Sequence, residues 1–174
     1  MPSPRARPPG HASRWASRWL LALGSNRRSR HGDPRATLAA ATEALAARLE
    51  VLAVAPMLDS APLGPSRRRY ANSAVLVQTA LSPPELLRLT QSIERAFGRR
   101  AGRRWGARVL DIDLVLWSTG RWRSRGLVVP HPLFRARVFV LTPAVALVPG
   151  WRDPLTGLTV RQLRHRLTRR PRRA

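Results

Sequence analysis

Apolar positions along this chain change period in steps, and the steps mark out the elements. Trp19-Leu20-Leu21-Ala22-Leu23 is a continuous apolar run, which predicts a buried first strand ended by Gly24-Ser25-Asn26. Asp33 then Pro34 is a helix start, with a side-chain acceptor at the N-cap and proline where no N–H is needed. Leu38, Ala41, Leu45 and Leu49 fall on one helical stripe. Val51 to Met57 predicts a second strand. Residues 58 to 69, with Pro62, Gly64 and Pro65, predict a loop. Tyr70 to Leu81 predicts a long strand with Tyr70, Asn72, Ala74 and Leu76 on one face.

Ser82-Pro83-Pro84-Glu85 has the form of a capping box and opens a helix through Leu86, Leu89, Ile93 and Phe97, stopped by Gly98. An arginine-rich loop, Arg99 to Arg108, leads into a strand from Val109 to Trp117. Thr119-Gly120 predicts a turn, Leu127-Val128-Val129 a short strand, and Pro132 to Leu147 short helical pieces. Thr159-Val160-Arg161-Gln162 is a second capping box, opening a last helix to about Leu167. The order βαββαβ over residues 19 to 117 predicts an α+β fold with a ferredoxin-like core. Its sheet is mainly antiparallel, helices pack on one face, helical additions follow, and the other face is left for a ligand.

The strand Val109-Leu110-Asp111-Ile112-Asp113-Leu114-Val115-Leu116-Trp117 carries the candidate chemistry. Strand side chains alternate, so Asp111 and Asp113 share a face while Leu110, Ile112, Leu114 and Leu116 form an apolar face opposite. Two carboxylates so spaced on a rigid element suit Mg²⁺, and the neighbouring guanidiniums suit phosphate. Together they point to a nucleotide phosphate bridged by metal and held by arginine.

Charge changes this picture little. The net charge is +23 and every basic residue is arginine, a bias that reads as coding-DNA composition as much as function. Residues 1 to 17 are expected as a disordered basic extension, 18 to 168 as one domain, and 169 to 174 as a basic tail. The terminal arginines and Arg67-Arg68-Arg69 read as solvated charge. No apolar run reaches a membrane span, and no cysteine is present, which fits a reducing cytoplasm.

The segments L-A-L-G-S-N (Leu21 to Asn26), S-A-P-L-G-P (Ser60 to Pro65), Y-A-N-S-A-V (Tyr70 to Val75) and T-Q-S-I-E (Thr90 to Glu94) come in that order. R-W-G-A-R-V-L-D-I-D, V-P-H-P (Val129 to Pro132), R-V-F-V-L (Arg137 to Leu141) and T-G-L-T-V (Thr156 to Val160) follow. In these pieces the chain resembles the 6-hydroxymethyl-7,8-dihydropterin pyrophosphokinases of folate biosynthesis. The resemblance implies transfer of pyrophosphate from ATP to the hydroxymethyl group of the pterin, with release of AMP. It implies two Mg²⁺ ions on Asp111 and Asp113, and catalytic roles for Arg99 and Arg108 beside them. It implies a pterin site at Ser60, Ala61, Leu63, Tyr70, Asn72, Trp105 and Phe139. It implies an ATP site at Gln91, Glu94, Arg99, Arg108, Leu114, His131 and Arg137. A cytoplasmic monomer is expected, with these small-molecule substrates, no membrane and no specific nucleic acid.

Chemistry and resemblance agree. A flat heterocycle fits between two aromatic rings, for which Trp105 and Phe139 are the candidates, and Asn72 offers a donor and an acceptor to its edge. A nucleic-acid-binding module is the competing reading of the charge. It fits less well, because the ligand face carries two aspartates and the chain holds one Tyr and three Phe. A nucleotide-sugar transferase using D-x-D is the third reading, for which the chain is short.

Overall fold

Nine residues from Ser17 to Ser25 form β1, the strand on which the sheet is assembled, in a computed structural model that describes residues 16–61, 69–98 and 109–169. It runs two residues past the expected stop at Leu23, because Gly24 and Ser25 still pair with Asn72 and Ala71. The first helix is α1 (Pro34–Ala46), capped by Asp33, whose Oδ1 accepts the Ala36 N–H at 2.8 Å. Then come β2 (Glu50–Val54), β3 (Leu58–Ser60), β4 (Tyr70–Thr79), α2 (Pro83–Ala96) and β5 (Asp111–Trp117). The strand order is β2-β4-β1-β5 with every pair antiparallel, the ferredoxin-like arrangement expected from the element order.

The second strand departs from expectation. It stops at Val54, and the predicted loop from residue 58 begins with β3, which pairs with the first residues of β4. Both segments lie along one edge of β4 and are separated at Pro56, whose ring nitrogen has no hydrogen to give to the ladder.

One layer of core lies between the sheet and the first two helices. Leu38, Ala41 and Leu45 of α1 and Leu86 and Ile93 of α2 pack there against Trp19, Leu21, Leu23, Val75, Val77 and Ile112. Burying each such leucine contributes about 2 kcal/mol. That outweighs the net ~1 kcal/mol of a hydrogen bond, so apolar burial sets the seat of α2. At its start, Glu85 Oε2 accepts from the Ser82 backbone N–H (2.8 Å) and hydroxyl (2.5 Å).

The other face of the sheet is not left open along its whole length, as the element order suggested. A hairpin of β6 (Trp122–Ser124) and β7 (Leu127–Val129) follows β5, and β6 went unread because it is three residues long with two exposed. Beyond it come a single 3₁₀ turn (Phe134–Ala136), α3 (Val138–Leu147) and α4 (Val160–Thr168). Phe134, Val140, Leu141, Ala144, Val160 and Leu163 build a second core layer over Leu20, Ala22, Ala74 and Leu116. Among the described residues, the end of that face beyond Ala22, with Gly24, Asn72 and Asp111, stays outside this layer.

Leu116 corrects a second expectation. It does not continue the face of Ile112 and Leu114 but joins the opposite layer. The cause is a bulge: Leu20 pairs with Leu116 and Leu21 with Leu114, so Val115 is one residue too many and the alternation inverts beyond it. Trp117 is turned back by the same inversion and stacks on Trp19 at 4.9 Å. No helix among the described residues is long and apolar enough to cross a membrane.

Candidate active site

Strand register builds the site. Asp111 of β5 lies opposite Gly24 of β1, and Gly24 lies opposite Asn72 of β4. One pair further along, Asp113 lies opposite Ala22, and Ala22 opposite Ala74. Opposed residues of an antiparallel pair share a face. Asn72, Asp111 and Asp113 therefore stand on one surface, with Gly24, Ala22 and Ala74 as a floor between them. Two strand spacings separate β4 from β5, about 10 Å. That span accommodates a flat ring next to a phosphate group.

On the β4 side, Ser60 pairs with Tyr70, and the Ser60 hydroxyl accepts from Asn72 Nδ2 at 2.9 Å. The bond turns the amide so that its carbonyl oxygen lies over Gly24, 3.6 Å from where a Cβ would stand. The acceptor is thus aimed across the floor toward β5. Ala61 follows Ser60 and is exposed. Gly24→Val fills this floor without a backbone penalty, since Gly24 has ordinary strand geometry. The expected result is a loss of at least about tenfold in kcat/KM with the melting temperature unchanged. Parent-like kinetics in that variant count against the floor as the ligand's seat.

On the β5 side, the bulge has a chemical consequence. The Val115 carbonyl accepts the His131 N–H at 3.0 Å, which fastens the segment after β7 beside the aspartates. His131 Nδ1 accepts the Leu133 N–H at 3.2 Å. The imidazole proton therefore sits on Nε2, which faces Asp113 Oδ2 at 3.8 Å. Burial holds the His131 pKa below its ordinary value, Asp113 pulls it upward, and Arg137 lowers it again. The ring is thus neutral at pH 7. Arg137, at the N-cap of α3, brings Nη1 to 3.4 Å from the same Asp113 oxygen. Its guanidinium carbon lies 5.7 Å from the centre of the Phe139 ring, which packs half-buried on the second core layer. Asp111, Asp113, His131, Arg137 and Phe139 are thereby gathered on the aspartate side.

Other expected residues lie elsewhere. Leu114 has its side chain in the core under α1 and α2, so any contact with a nucleotide falls to its main chain. Glu94 is buried at 2% exposure, and its Oε1 accepts the Ile112 N–H at 2.9 Å, between the two aspartates. It grips the backbone of the aspartate strand from the helical layer. Gln91 lies on the same helix, partly exposed. Leu63, Arg99, Trp105 and Arg108 fall outside the described residues.

The donor set fits Mg²⁺ in one particular way. Among the described residues no group of three metal-ligating side chains exists, so these residues offer two carboxylates rather than a closed cage. Mg²⁺ is ordinarily held like this, by one or two carboxylates with phosphate oxygens and water completing the shell. Sequence reasoning missed the small-residue floor, for Gly24 read as a turn. The alternation Leu21-Ala22-Leu23-Gly24 was its available signal, with small residues at every second position.

Fold and site together define a ferredoxin-like α+β protein with paired carboxylates and a guanidinium at the open end of its sheet. Residues 20–149 match the family model described as 7,8-dihydro-6-hydroxymethylpterin-pyrophosphokinase (HPPK). The chain is 40% identical over 149 residues to the 2-amino-4-hydroxy-6-hydroxymethyldihydropteridine pyrophosphokinase of Methylorubrum extorquens, covering 84% of this chain and 90% of that protein. The protein of the same description from Synechocystis is 39% identical over 120 residues, 69% of this chain and 62% of its own length. Among solved structures, wild-type HPPK-DHPS of Plasmodium falciparum superposes with a TM-score of 0.69 at 12% identity, over 87% of this chain and 41% of that one. The chain therefore spans under two thirds of the Synechocystis protein and under half of the Plasmodium chain. It belongs to the HPPK family.

Proposed function

We propose that this chain transfers the diphosphate group of ATP to the hydroxymethyl group of 6-hydroxymethyl-7,8-dihydropterin, a step of folate biosynthesis, giving the pterin diphosphate and AMP. The observation that carries the reading is the row Asn72–Gly24–Asp111 across three neighbouring strands. It supports the reading by putting an amide and a carboxylate pair at opposite ends of one small-residue floor.

In this reading the pterin lies on the floor, its edge on Asn72 and the loop beginning at Ser60 and Ala61, its face on Phe139. Tyr70 closes the β4 end. Leu63 and Trp105 keep the roles the resemblance implies, as do Arg99 and Arg108 toward the phosphates. The hydroxymethyl oxygen attacks the β-phosphorus, and the bond from that phosphorus to the oxygen of the α-phosphate breaks. Charge spreads over phosphoryl oxygens in such a transfer, so positioning and electrostatics supply most of the acceleration. Asp111 and Asp113 would hold the Mg²⁺ ions that the resemblance implies, which would supply Lewis-acid polarisation of those oxygens and ease loss of the hydroxyl proton to solvent. Arg137 and the neutral His131 orient the Asp113 carboxylate and offer N–H groups to a phosphate oxygen next to it. Glu94 acts on the nucleotide site indirectly, by holding the Ile112 backbone, and Gln91 and the Leu114 main chain line its margin. The protein acts as a cytoplasmic monomer, where ATP and Mg²⁺ are abundant.

The test is a product assay. Purified protein with ATP and Mg²⁺ is expected to form AMP only when the hydroxymethylpterin is added. Formation of ADP instead, or of AMP without pterin, overturns the assignment.

A further inference from the structure

At the end of the sheet where β1 stops and β4 starts lies a cavity of about 600 Å³, lined by Asn26, Arg27, Arg28, Pro34 and Arg69. None of these residues has a part in the chemistry described above. Three arginines from two separate segments line it, and all three are exposed. Among the described residues none of the three enters an ion pair. The acids closest in the chain are committed elsewhere. Asp33 caps α1 through its bond to the Ala36 N–H, and Asp59 binds Arg35 at 3.0 Å.

The segment bearing Arg27 and Arg28 is tied down rather than loose. Ser29 and Gly32 exchange both backbone hydrogen bonds, at 2.9 and 3.1 Å. The Ser29 hydroxyl bonds the Thr37 hydroxyl of α1 at 2.8 Å and accepts the His31 N–H at 3.0 Å. His31 stacks on Phe97 at 4.4 Å, pinning the segment to the end of α2. Arg69 comes from the first residue before β4, which is fixed by the sheet. Like charges around one cavity repel one another, and an anion between them reverses the sign of that energy.

We propose that this cavity is a binding site for a diphosphate group, either free or at the end of a small phosphorylated molecule. Guanidinium is the group suited to this, because its planar fork grips two oxygens of one phosphate. Three of them match the roughly three negative charges of diphosphate near neutral pH, whereas a monophosphate leaves one cation uncompensated. The proposal is independent of the catalytic reading, since it uses none of the aspartate-side residues.

The test is calorimetric titration with inorganic diphosphate in metal-free buffer, so that no metal bridges the anion to Asp111 or Asp113. Overall charge is controlled by comparing two pairs of equal charge change. Arg27→Ala/Arg28→Ala alters the cavity, while Arg161→Ala/Arg164→Ala alters equally exposed positions away from it, on α4. The expected result is saturable binding of one diphosphate, weakened at least tenfold by the first pair and less than twofold by the second. Arg69→Gln, on a different segment, is expected to weaken it as well. A titration of ATP against the same variants separates the free anion from a nucleotide-borne one. Absence of saturable binding, or equal weakening by the two pairs, overturns the proposal.

Discussion

Replacing Asp111 or Asp113 with alanine is expected to lower kcat by about 10³-fold or more. Metal-borne stabilisation of phosphoryl charge is worth several kcal/mol, and each 1.36 kcal/mol is tenfold in rate. The register makes the loss specific: both carboxylates stand over the Gly24–Ala22 floor, and no third ligating side chain among the described residues substitutes for either. The two variants differ in a second respect. Asp113 also receives Arg137 at 3.4 Å and His131 at 3.8 Å. Under the proposed function, Asp113→Ala is therefore expected to loosen Arg137 at the start of α3 as well as metal binding, and to lower pterin affinity too, through Phe139. Steady-state kinetics across a Mg²⁺ titration, with pterin binding followed by fluorescence, separates these effects. Activity within tenfold of the parent in either variant removes the carboxylate pair from the mechanism.

The largest effect on stability is expected at Asp153, far from the aspartates in the chain. Its carboxylate is fully buried and accepts from Arg135 Nε at 2.7 Å, from a second Arg135 nitrogen, from the Thr156 hydroxyl at 2.6 Å and from the Leu155 N–H at 3.2 Å. The Arg135 guanidinium rests on the Phe134 ring, 4.6 Å from its centre. Asp153→Ala strands that guanidinium over an apolar layer, and its cost is about 3 kcal/mol, at the low end for a broken buried pair because Arg135 keeps some solvent contact. Burial alone raises the carboxyl pKa; the bonds from Arg135, Thr156 and the Leu155 N–H, with the Arg135 charge, outweigh it and leave the pKa below its ordinary value. A depressed folded pKa contributes stability that is full above the unfolded value, about 3.9, and fades as pH falls through the lower folded value. Urea unfolding at pH 7 is thus expected to show the full difference between parent and Asp153→Asn, and unfolding below about pH 3.9 a smaller one. A difference that stays constant between those pH values refutes the charged pairing.

Asp153 also bears on function. The 3₁₀ turn that Arg135 anchors lies between His131 and Arg137, so the buried pair sets where both approach Asp113. No sequence period connects positions 135 and 153. The pair arises only when the turn before α3 and the loop after it meet on the second core layer.

The helix starts were legible because their determinants are local. The Asp33-Pro34 start and the Thr159–Gln162 box appear in the structure as read, since capping depends on a side chain reaching backbone two or three residues away. The predicted loop after residue 58 failed for the opposite reason. Leu58–Ser60 is too short to show alternation, and it is a strand only because β4 supplies the partner. The same holds for Trp122–Ser124 against β7.

By itself the chain's order of residues determined the ferredoxin-like plan and the common side of Asp111 and Asp113, because strand geometry alternates side chains whatever lies around them. Only the folded molecule decided that Leu116 turns to the other layer, that Glu94 holds the Ile112 backbone from the helical layer, and that α3 and α4 cover much of the second sheet face. A bulge, a buried carboxylate and a covering helix all depend on which distant segment arrives as neighbour, and that choice is made by packing across the whole sheet.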